Sequence, residues 1–234
     1  MALLTMRGID KRYRQGEVEV QALQGIDLQV EEGEFAALVG PSGSGKTTLL
    51  NIIGGLDAPS SGSVHLGSTD LTAMGEAALS DFRLFQLGFI FQAYNLVPVL
   101  SALENVELVM VLQGRPVQEQ RQRAERYLEM VGLQELMHRR PAALSGGQQQ
   151  RVAVARALAA GPRLVLADEP TANLDSENAD ALLDIMHRLS HEEKTTFIFS
   201  THDPRVMERA ERIITLHDGT ISGDQRHQTH DLQA

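Results

Sequence analysis

The segment GPSGSGKT, residues 40–47, combines residue types that bind phosphate. Its glycines let consecutive N–H groups curl around an anion, and a helix that starts after Gly45 adds the partial positive charge of its N-terminus. Lys46 supplies a full charge, and the Thr47 hydroxyl is a suitable Mg²⁺ ligand. A glycine-rich turn is the structural alternative, but it does not explain the buried strand before the loop and the helix after it. The predicted nucleotide contacts are Gly40, Pro41, Ser42, Gly43, Ser44, Gly45, Lys46, Thr47 and Thr48.

Two carboxylates, Asp168 and Glu169, follow the apolar strand segment RLVLADE. Successive side chains of a strand point to opposite sides, so we expect the two acids to have different roles. We predict that Asp168 lies on the metal side, binding Mg²⁺ through coordinated water. Glu169 is then free to polarise an attacking water as a general base. The alternative for Glu169 is that it caps a neighbouring helix.

Gln92 and His202 end two further apolar strands, LGFIFQ and TTFIFSTH. In open parallel sheets, ligands bind at the carboxyl ends of the strands. We therefore expect both side chains to meet the phosphate loop and the carboxylate pair in one crevice, with His202 contacting the γ-phosphate. Gln92 hydrogen-bonding a loop remains an alternative. Tyr13 offers a ring for an adenine to stack on, and its alternative is an edge-strand residue with a hydroxyl in water.

The segment LSGGQQQR, residues 144–151, is a second candidate anion site. Ser145, Gly146 and Gly147 present unpaired N–H groups at a helix start, with no lysine or metal ligand of their own. A phosphate bound there would have its charge neutralised elsewhere, which favours the γ-phosphate of ATP held by another copy of the chain. In the alternative, Ser145 is a helix N-cap and the glycines form a tight bend. That alternative explains the helix start but not the second glycine or Gln148.

The elements around these residues indicate an α/β fold. Residues 1–30 alternate as two half-buried strands of an antiparallel sheet, whereas the later apolar runs predict strands buried on both faces. Helical spacing dominates between Gln92 and Leu164, and a closing hairpin turns at Asp218 and Gly219. The predicted organisation is a catalytic core at about 1–92 and 161–225, an inserted helical signature subdomain at about 93–160, and a flexible tail at 226–234.

Composition narrows the classes of function. A chain of 234 residues allows one substantial core with an elaboration. The net charge of -10 argues against nucleic acid as a partner, because phosphate binding relies on Lys and Arg. The sequence contains no cysteine, which excludes disulfides and Cys metal sites. Since no apolar run approaches the roughly 18 residues of a membrane span, we expect that the chain does not cross a bilayer by itself.

These motifs together resemble the nucleotide-binding subunit of an ABC transporter over nearly the entire chain. GPSGSGKT is similar to its Walker A, LSGGQ to its signature, LVLADE to its Walker B with the catalytic Glu, and NLD to its D-loop. The resemblance implies a P-loop NTPase core with N-terminal antiparallel β elements and an inserted α-helical subdomain. It identifies Gln92 as the Q-loop residue, His202 as the switch histidine and Tyr13 as the adenine-stacking aromatic.

The resemblance also implies a mechanism. Two copies would form a head-to-tail homodimer holding two ATP molecules, each between one copy's Walker A and the other's signature. Asp175, whose alternative is a helix N-cap, would bridge the two sites. The expected cofactors are ATP and Mg²⁺. The residues that the resemblance marks are, for catalysis, Lys46, Gln92, Glu169 and His202; for Mg²⁺, Thr47, Gln92 and Asp168; and for the partner copy's nucleotide, Ser145, Gly146, Gly147 and Gln148.

Within the family, LLNIIGGLDAPSSG and GFIFQAYNLVPVLSALENVE look like the branch of lipoprotein-release, macrolide-export and cell-division ATPases. This resemblance implies an integral membrane subunit as partner and a cytoplasmic location, peripheral on the inner face of the membrane. We expect AYNLVPVL to expose an apolar patch that receives that subunit. An importer ATPase, for example for polar amino acids, and a soluble non-transport ABC ATPase are alternatives. A nucleoside kinase would share the phosphate loop but would have no use for LSGGQ.

Overall fold

A computed structural model describes residues 2–16 and 18–226. The chain divides into two compact units, residues 1–79 with 196–234, and residues 80–195. The predicted flexible tail lies outside the described residues except for Arg226. The elements in chain order are β1 (Ala2–Gln15), β2 (Val18–Glu31), β3 (Phe35–Val39), α1 (Lys46–Ile53), β4 (Ser61–Leu66), β5 (Thr69–Asp70), α2 (Glu76–Gln86), β6 (Leu87–Phe91), α3 (Ala102–Leu112), α4 (Val117–Met130), α5 (Gly146–Ala159), β7 (Leu164–Asp168), α6 (Ser176–Glu193), β8 (Thr196–Ser200), α7 (Pro204–Arg209), β9 (Arg212–His217) and β10 (Thr220–Arg226).

The first unit contains the antiparallel sheet that alternation predicts for the N-terminal residues. β1 and β2 pair antiparallel, and β4 and β5 extend the sheet in the order β2-β1-β4-β5. Alternate apolar residues of β1, among them Leu4 and Met6, are fully buried on one face. The sequence reading did not include β4 and β5 in this sheet.

The same unit contains a second group of strands around β3. β3 pairs parallel with β8 on one side and with β9 on the other, and β10 pairs antiparallel with β9. Every residue of β3 and of β8 is buried, which confirms the prediction of strands covered on both faces. The predicted hairpin turn is also confirmed, because Asp218 and Gly219 have φ values of 46° and 74°, as a two-residue turn of this kind requires.

The second unit combines the parallel pair of β6 and β7 with the predicted helices α3, α4, α5 and α6. Local sequence explains where two of these helices begin. Ser101 and Glu104 form a reciprocal capping box at α3, and the side chain of Asp175 caps α6. Because α5 buries residues around most of its circumference, including Val152, Ala155 and Leu158, it forms the centre of this unit.

Candidate functional site

The loop between β3 and α1 adopts a conformation that requires its glycines. Gly40, Gly43 and Gly45 have φ values of 151°, 81° and 102°, which side-chain-bearing residues rarely adopt. Space is restricted as well, since a Cβ atom on Gly45 would lie 2.8 Å from the carbonyl oxygen of Ala22. A Cβ atom on Gly40 would collide with the carbonyl oxygen of Leu216. The glycines therefore allow the loop to pack closely against the neighbouring strands.

Lys46 and Ser44 give this loop the polar groups that a phosphate needs. The Lys46 ammonium donates to the carbonyl oxygens of Gly40 and Pro41 at 2.8 and 3.0 Å, which holds its charge over the loop. The Ser44 hydroxyl is buried and has no hydrogen-bond partner among the described residues. Buried hydroxyls are normally paired, so this oxygen fits a bound phosphate oxygen. α1 begins at Lys46, and its N-cap Gly45 supplies no side-chain cap, which leaves the helix N-terminus suited to an anion.

His202 leaves the sheet beside the phosphate loop. Leu38 of β3 lies opposite Ser200 of β8 in a parallel register, and the Thr201 N–H donates to the Leu38 carbonyl at 3.0 Å. The loop and His202 therefore follow adjacent strands at the same edge. His202 is exposed, as a side chain that contacts a ligand must be. Within the first unit, the structure thus brings together these two predicted components.

Tyr13 is held by a small polar cluster at the end of α1. Its hydroxyl donates to Asp57 at 2.6 Å, and the Lys11 ammonium pairs with the same carboxylate. The Lys11 nitrogen also lies 4.7 Å from the centroid of the Tyr13 ring, on one of its faces. Burial and then the hydrogen bond to Asp57 raise the pKa of Tyr13. With 38% of Tyr13 exposed, the ring is fixed yet accessible.

The second unit aligns the predicted Q-loop and Walker B residues. Phe91 of β6 lies opposite Asp168 of β7, so Gln92 and Glu169 follow equivalent positions of two parallel strands. Gln92 is exposed, and both acids are half-buried. Glu169 has a φ of 46°, in the left-handed region that disfavours a residue with a side chain. Such strain is found at functional sites where surrounding contacts hold the backbone in place.

The Ser145 turn corrects one part of the sequence reasoning. A helix cap at Ser145 does not by itself predict Gln148 or the second glycine, Gly147. In the structure, contacts within the second unit explain both residues. The Ser145 hydroxyl accepts from the Gln148 N–H at 3.3 Å, and the Gln148 side chain accepts from the Ser145 N–H at 2.9 Å. A Cβ atom on Gly147 would lie 2.9 Å from Oδ1 of Asn178 on α6. The N–H groups of Gly146 and Gly147 have no acceptor within the helix, so they remain suited to an anion.

Asp175 is the N-cap of α6, which is the structural alternative to its predicted role of bridging the two ATP sites. Its carboxylate accepts from the backbone N–H and the side-chain amide of Asn178, at 2.9 and 2.8 Å. These hydrogen bonds, the backbone one first, lower the pKa of Asp175. Nearby, the Asn173 amide donates to the Gln92 carbonyl at 3.0 Å, which ties the D-loop segment to the Q-loop.

Sequence reasoning missed three residues that support these sites, namely Asp57, Asn173 and Gln150. Asp57 and Asn173 are polar loop residues with partners far along the chain, 44 residues away for Tyr13 and 81 for Gln92, so no local pattern points to them. Gln150 is completely buried, but it lies in the polar run QQQR, so the sequence pattern does not point to it either.

Comparison with known proteins agrees with this arrangement. A family model described as ABC transporter matches residues 23–172. An uncharacterised ABC transporter ATP-binding protein of Thermotoga maritima is 47% identical over 216 residues, which cover 92% of each chain. The lipoprotein-releasing system ATP-binding protein LolD of Anaeromyxobacter dehalogenans is 47% identical over 95% of this chain and 93% of its own. The macrolide export ATP-binding/permease protein MacB 1/2 of Paracoccus denitrificans is 46% identical over 96% of this chain, but only 33% of its own length.

Solved structures of ATP-binding cassettes agree with the match to the ABC transporter family. Two dimeric structures of the ATP-binding cassette MJ0796 match with TM-scores of 0.88 and 0.89 at 40% identity, covering 97% of this chain. One of them is a post-hydrolysis state bound to ADP and Pi. The predicted fold class, a P-loop NTPase core with antiparallel β elements and helices, is confirmed by these neighbours. In residues 2–16 and 18–226, no helix has both the length and the apolar character of a membrane span.

Proposed function

Because the chain belongs to the ABC transporter family and is an ATP-binding, ATP-hydrolysing subunit of it, we propose that two copies close on ATP, reopen on hydrolysis and thereby drive a separate membrane subunit. One observation carries this proposal. The Lys46 ammonium is held by two backbone carbonyls of the glycine-rich loop. It lies in the same loop as the buried Ser44 hydroxyl, which has no hydrogen-bond partner among the described residues. This combination of groups suits a phosphate.

Each predicted residue then has a chemical role in the copy that binds ATP. The backbone N–H groups of residues 42–48 and the Lys46 ammonium bind the phosphates, while Pro41, which has no N–H, shapes the loop beside them. The accessible face of Tyr13 stacks on adenine, and His202 contacts the γ-phosphate. Glu169 accepts a proton from the attacking water as general base.

The oxygen donors of the chain fit Mg²⁺ as the cofactor. Thr47, Gln92 and Asp168 would supply a hydroxyl, an amide oxygen and a carboxylate, which are the hard ligands that Mg²⁺ prefers. Asp168 is half-buried at the end of β7, in register with the residue before Gln92. When bound, Mg²⁺ neutralises part of the phosphate charge during hydrolysis.

A second copy supplies the remaining contacts in this proposal. Ser145, Gly146, Gly147 and Gln148 bind the γ-phosphate of ATP held by the partner, and Asp175 bridges the two sites. The Ser145 turn carries no positive side chain of its own, so it suits a phosphate whose charge is already neutralised. The dimeric form of the solved cassettes supports this pairing.

The membrane subunit is of the lipoprotein-release or macrolide-export type in this proposal, and the chain lies in the cytoplasm on the inner face of the membrane. Similarity to a lipoprotein-releasing ATPase and to an export protein with a fused permease supports this branch. The segment AYNLVPVL, residues 93–100, is the proposed docking patch, and its Val99 is 68% exposed.

Co-purification from membranes tests this proposal. A tagged chain should retain an integral membrane protein, and Leu96→Asp or Val99→Asp should release it while ATP hydrolysis by the isolated chain persists. Val117→Asp is a matched control, because Val117 is 79% exposed but lies outside the patch. If both patch variants retained the membrane protein and coupled activity, the docking proposal would be wrong. If the membrane protein that co-purifies were the permease of an importer, the export assignment would be wrong.

A further inference from the structure

Gln150 on α5 holds two backbone segments that carry predicted hydrolytic residues. Its side-chain amide donates to the carbonyl of Pro170 at 2.9 Å and to the carbonyl of Phe91 at 3.3 Å. Pro170 directly follows Glu169, and Phe91 directly precedes Gln92. We propose that Gln150 is a positioning residue for ATP hydrolysis, which through one carboxamide fixes the backbone of the general base and the start of the Q-loop. This inference rests on the roles proposed above for Glu169 and Gln92.

The backbone of Glu169 needs such a constraint. Its positive φ is unfavourable for a residue with a side chain and persists only where neighbouring contacts impose it. The Ala172 N–H donates to the Glu169 carbonyl at 3.2 Å, and Gln150 holds the next carbonyl along the chain, that of Pro170. These two bonds fix the turn in which the general base lies.

The burial of Gln150 favours a functional explanation over a purely structural one. Gln150 is completely buried, and so are Ala153 and Val154, the apolar residues that follow it on the same face of the helix. Its Oε1 atom has no hydrogen-bond partner among the described residues. A buried polar atom without a partner is costly, so an apolar residue would serve packing better. The amide N–H groups are therefore the useful part of this side chain.

The same helix links this constraint to the Ser145 turn. Gln150 lies five positions after Ser145, within one continuous helix that starts at Gly146. Farther along α5, Arg156 donates to the carbonyls of Tyr94 and Asn95 at 3.0 and 2.6 Å, so α5 holds the Q-loop at two points. A partner's ATP that binds the Ser145 turn thus contacts the helix that aligns this copy's own base.

The test replaces Gln150 by Met, which is similar in length, is apolar and donates no hydrogen bond. Gln149→Met is the matched control, since the Gln149 amide donates to the Leu144 carbonyl and reaches neither hydrolytic segment. Measurements are kcat and KM for ATP, direct binding of a fluorescent ATP analogue, and the thermal midpoint. We expect Gln150→Met to lower kcat by about tenfold or more, because the buried hydrogen bonds that position the hydrolytic segments are lost. ATP binding should stay within about twofold of the parent. Gln149→Met should keep the parent kcat.

The possible outcomes separate this inference from the proposed function. If Gln150→Met kept a kcat within about twofold of the parent, or lost kcat and ATP binding in equal measure, Gln150 would have no positioning role. Failure of Gln150→Met to fold would also overturn the inference, because the amide would then serve stability. Gln150→Glu, which removes the donors and adds a charge, should lose at least as much turnover. If Glu169→Gln kept full turnover, the proposed general base would fail instead, whatever Gln150 does.

Discussion

The Lys46 ammonium lies 2.8 Å from the carbonyl oxygen of Gly40, so the charge of the phosphate loop is held by the loop's own backbone. A phosphate that enters the loop meets a cation already in position, which reduces the ordering cost of binding. The Gly40 carbonyl is available for this contact because a positive φ turns the chain there.

Replacing Lys46 by Met should remove this charge and keep the length of the side chain. We expect ATP affinity to fall by about tenfold or more, since a charge-assisted contact to phosphate is among the strong hydrogen bonds. Isothermal titration with ATP measures the loss. Lys194→Met is the matched control, because Lys194 is an exposed residue at the end of α6. Equal affinities for parent and Lys46→Met would contradict the assignment.

Replacing Tyr13 by Ala should weaken only the part of ATP binding that comes from the adenine base. Stacking of a base on an aromatic ring contributes roughly 1–3 kcal/mol, so the dissociation constant should rise by about 5- to 150-fold. Tyr13→Phe keeps the ring and loses the bond to Asp57, so its effect should be smaller. Binding of inorganic tripolyphosphate, which has no base, should be unchanged in both variants. Loss of tripolyphosphate binding in Tyr13→Ala would show that the ring acts on the loop and not on adenine.

The strands around the functional residues were predictable because each is an uninterrupted apolar run followed by a polar residue, as in β7 before Asp168. The capping box of Ser145 and Gln148 also had a local signal, the spacing of its two members, which the sequence reading did not use. By contrast, the sequence interpretation did not include α2, a helix without a fully buried residue. The partners of Gln150 lie 20 and 59 residues away, and only the folded chain reveals them.

Replacing Arg212 by Met should destabilise the first unit. Arg212 is 6% exposed, and its guanidinium donates to Asp224 through two hydrogen bonds of 2.8 and 2.7 Å and also pairs with Glu34. Because the Asp224 side chain is 41% exposed and Glu34 also pairs with Arg226, we expect a loss of roughly 1–2 kcal/mol in the free energy of unfolding, less than for a fully buried pair. Urea unfolding at neutral pH measures it. An unchanged midpoint in Arg212→Met would show that this network does not stabilise the fold.

The same network predicts how stability depends on pH. The hydrogen bond from Arg212 is the main reason that the pKa of Asp224 is lowered in the folded chain. A depressed folded pKa stabilises the fold above the unfolded value of about 3.9, and this contribution is lost as the pH falls through the folded pKa. Asp224→Asn should therefore flatten the acid limb of a stability profile measured below about pH 4. Glu208→Gln, at an exposed position of α7, should leave the acid limb unchanged.

The proposed closure of two copies on ATP is tested by dimerisation of a variant that cannot turn ATP over. Glu169→Gln should bind ATP, lose hydrolysis by about 100-fold or more through loss of the general base, and become a dimer when Mg²⁺ and ATP are added. Ser145→Phe in the same background should block the partner's phosphate and remain monomeric, with ATP binding intact. Ser145→Ala separates bulk from the hydroxyl, because it loses the cap and the hydroxyl contact but keeps the N–H groups of the turn, so it should dimerise less readily than its parent and more readily than Ser145→Phe.

Multi-angle light scattering of the Glu169→Gln chain with Mg²⁺ and ATP is the most direct test of whether two copies close on ATP. The scattering mass should double from the 25.6 kDa of one chain, and Ser145→Phe should abolish the doubling, whereas Ser145→Ala should still reach it at a higher ATP concentration. A Glu169→Gln chain that binds ATP and remains monomeric at every ATP concentration, or a Ser145→Phe chain that dimerises as well as its parent, would contradict this closure.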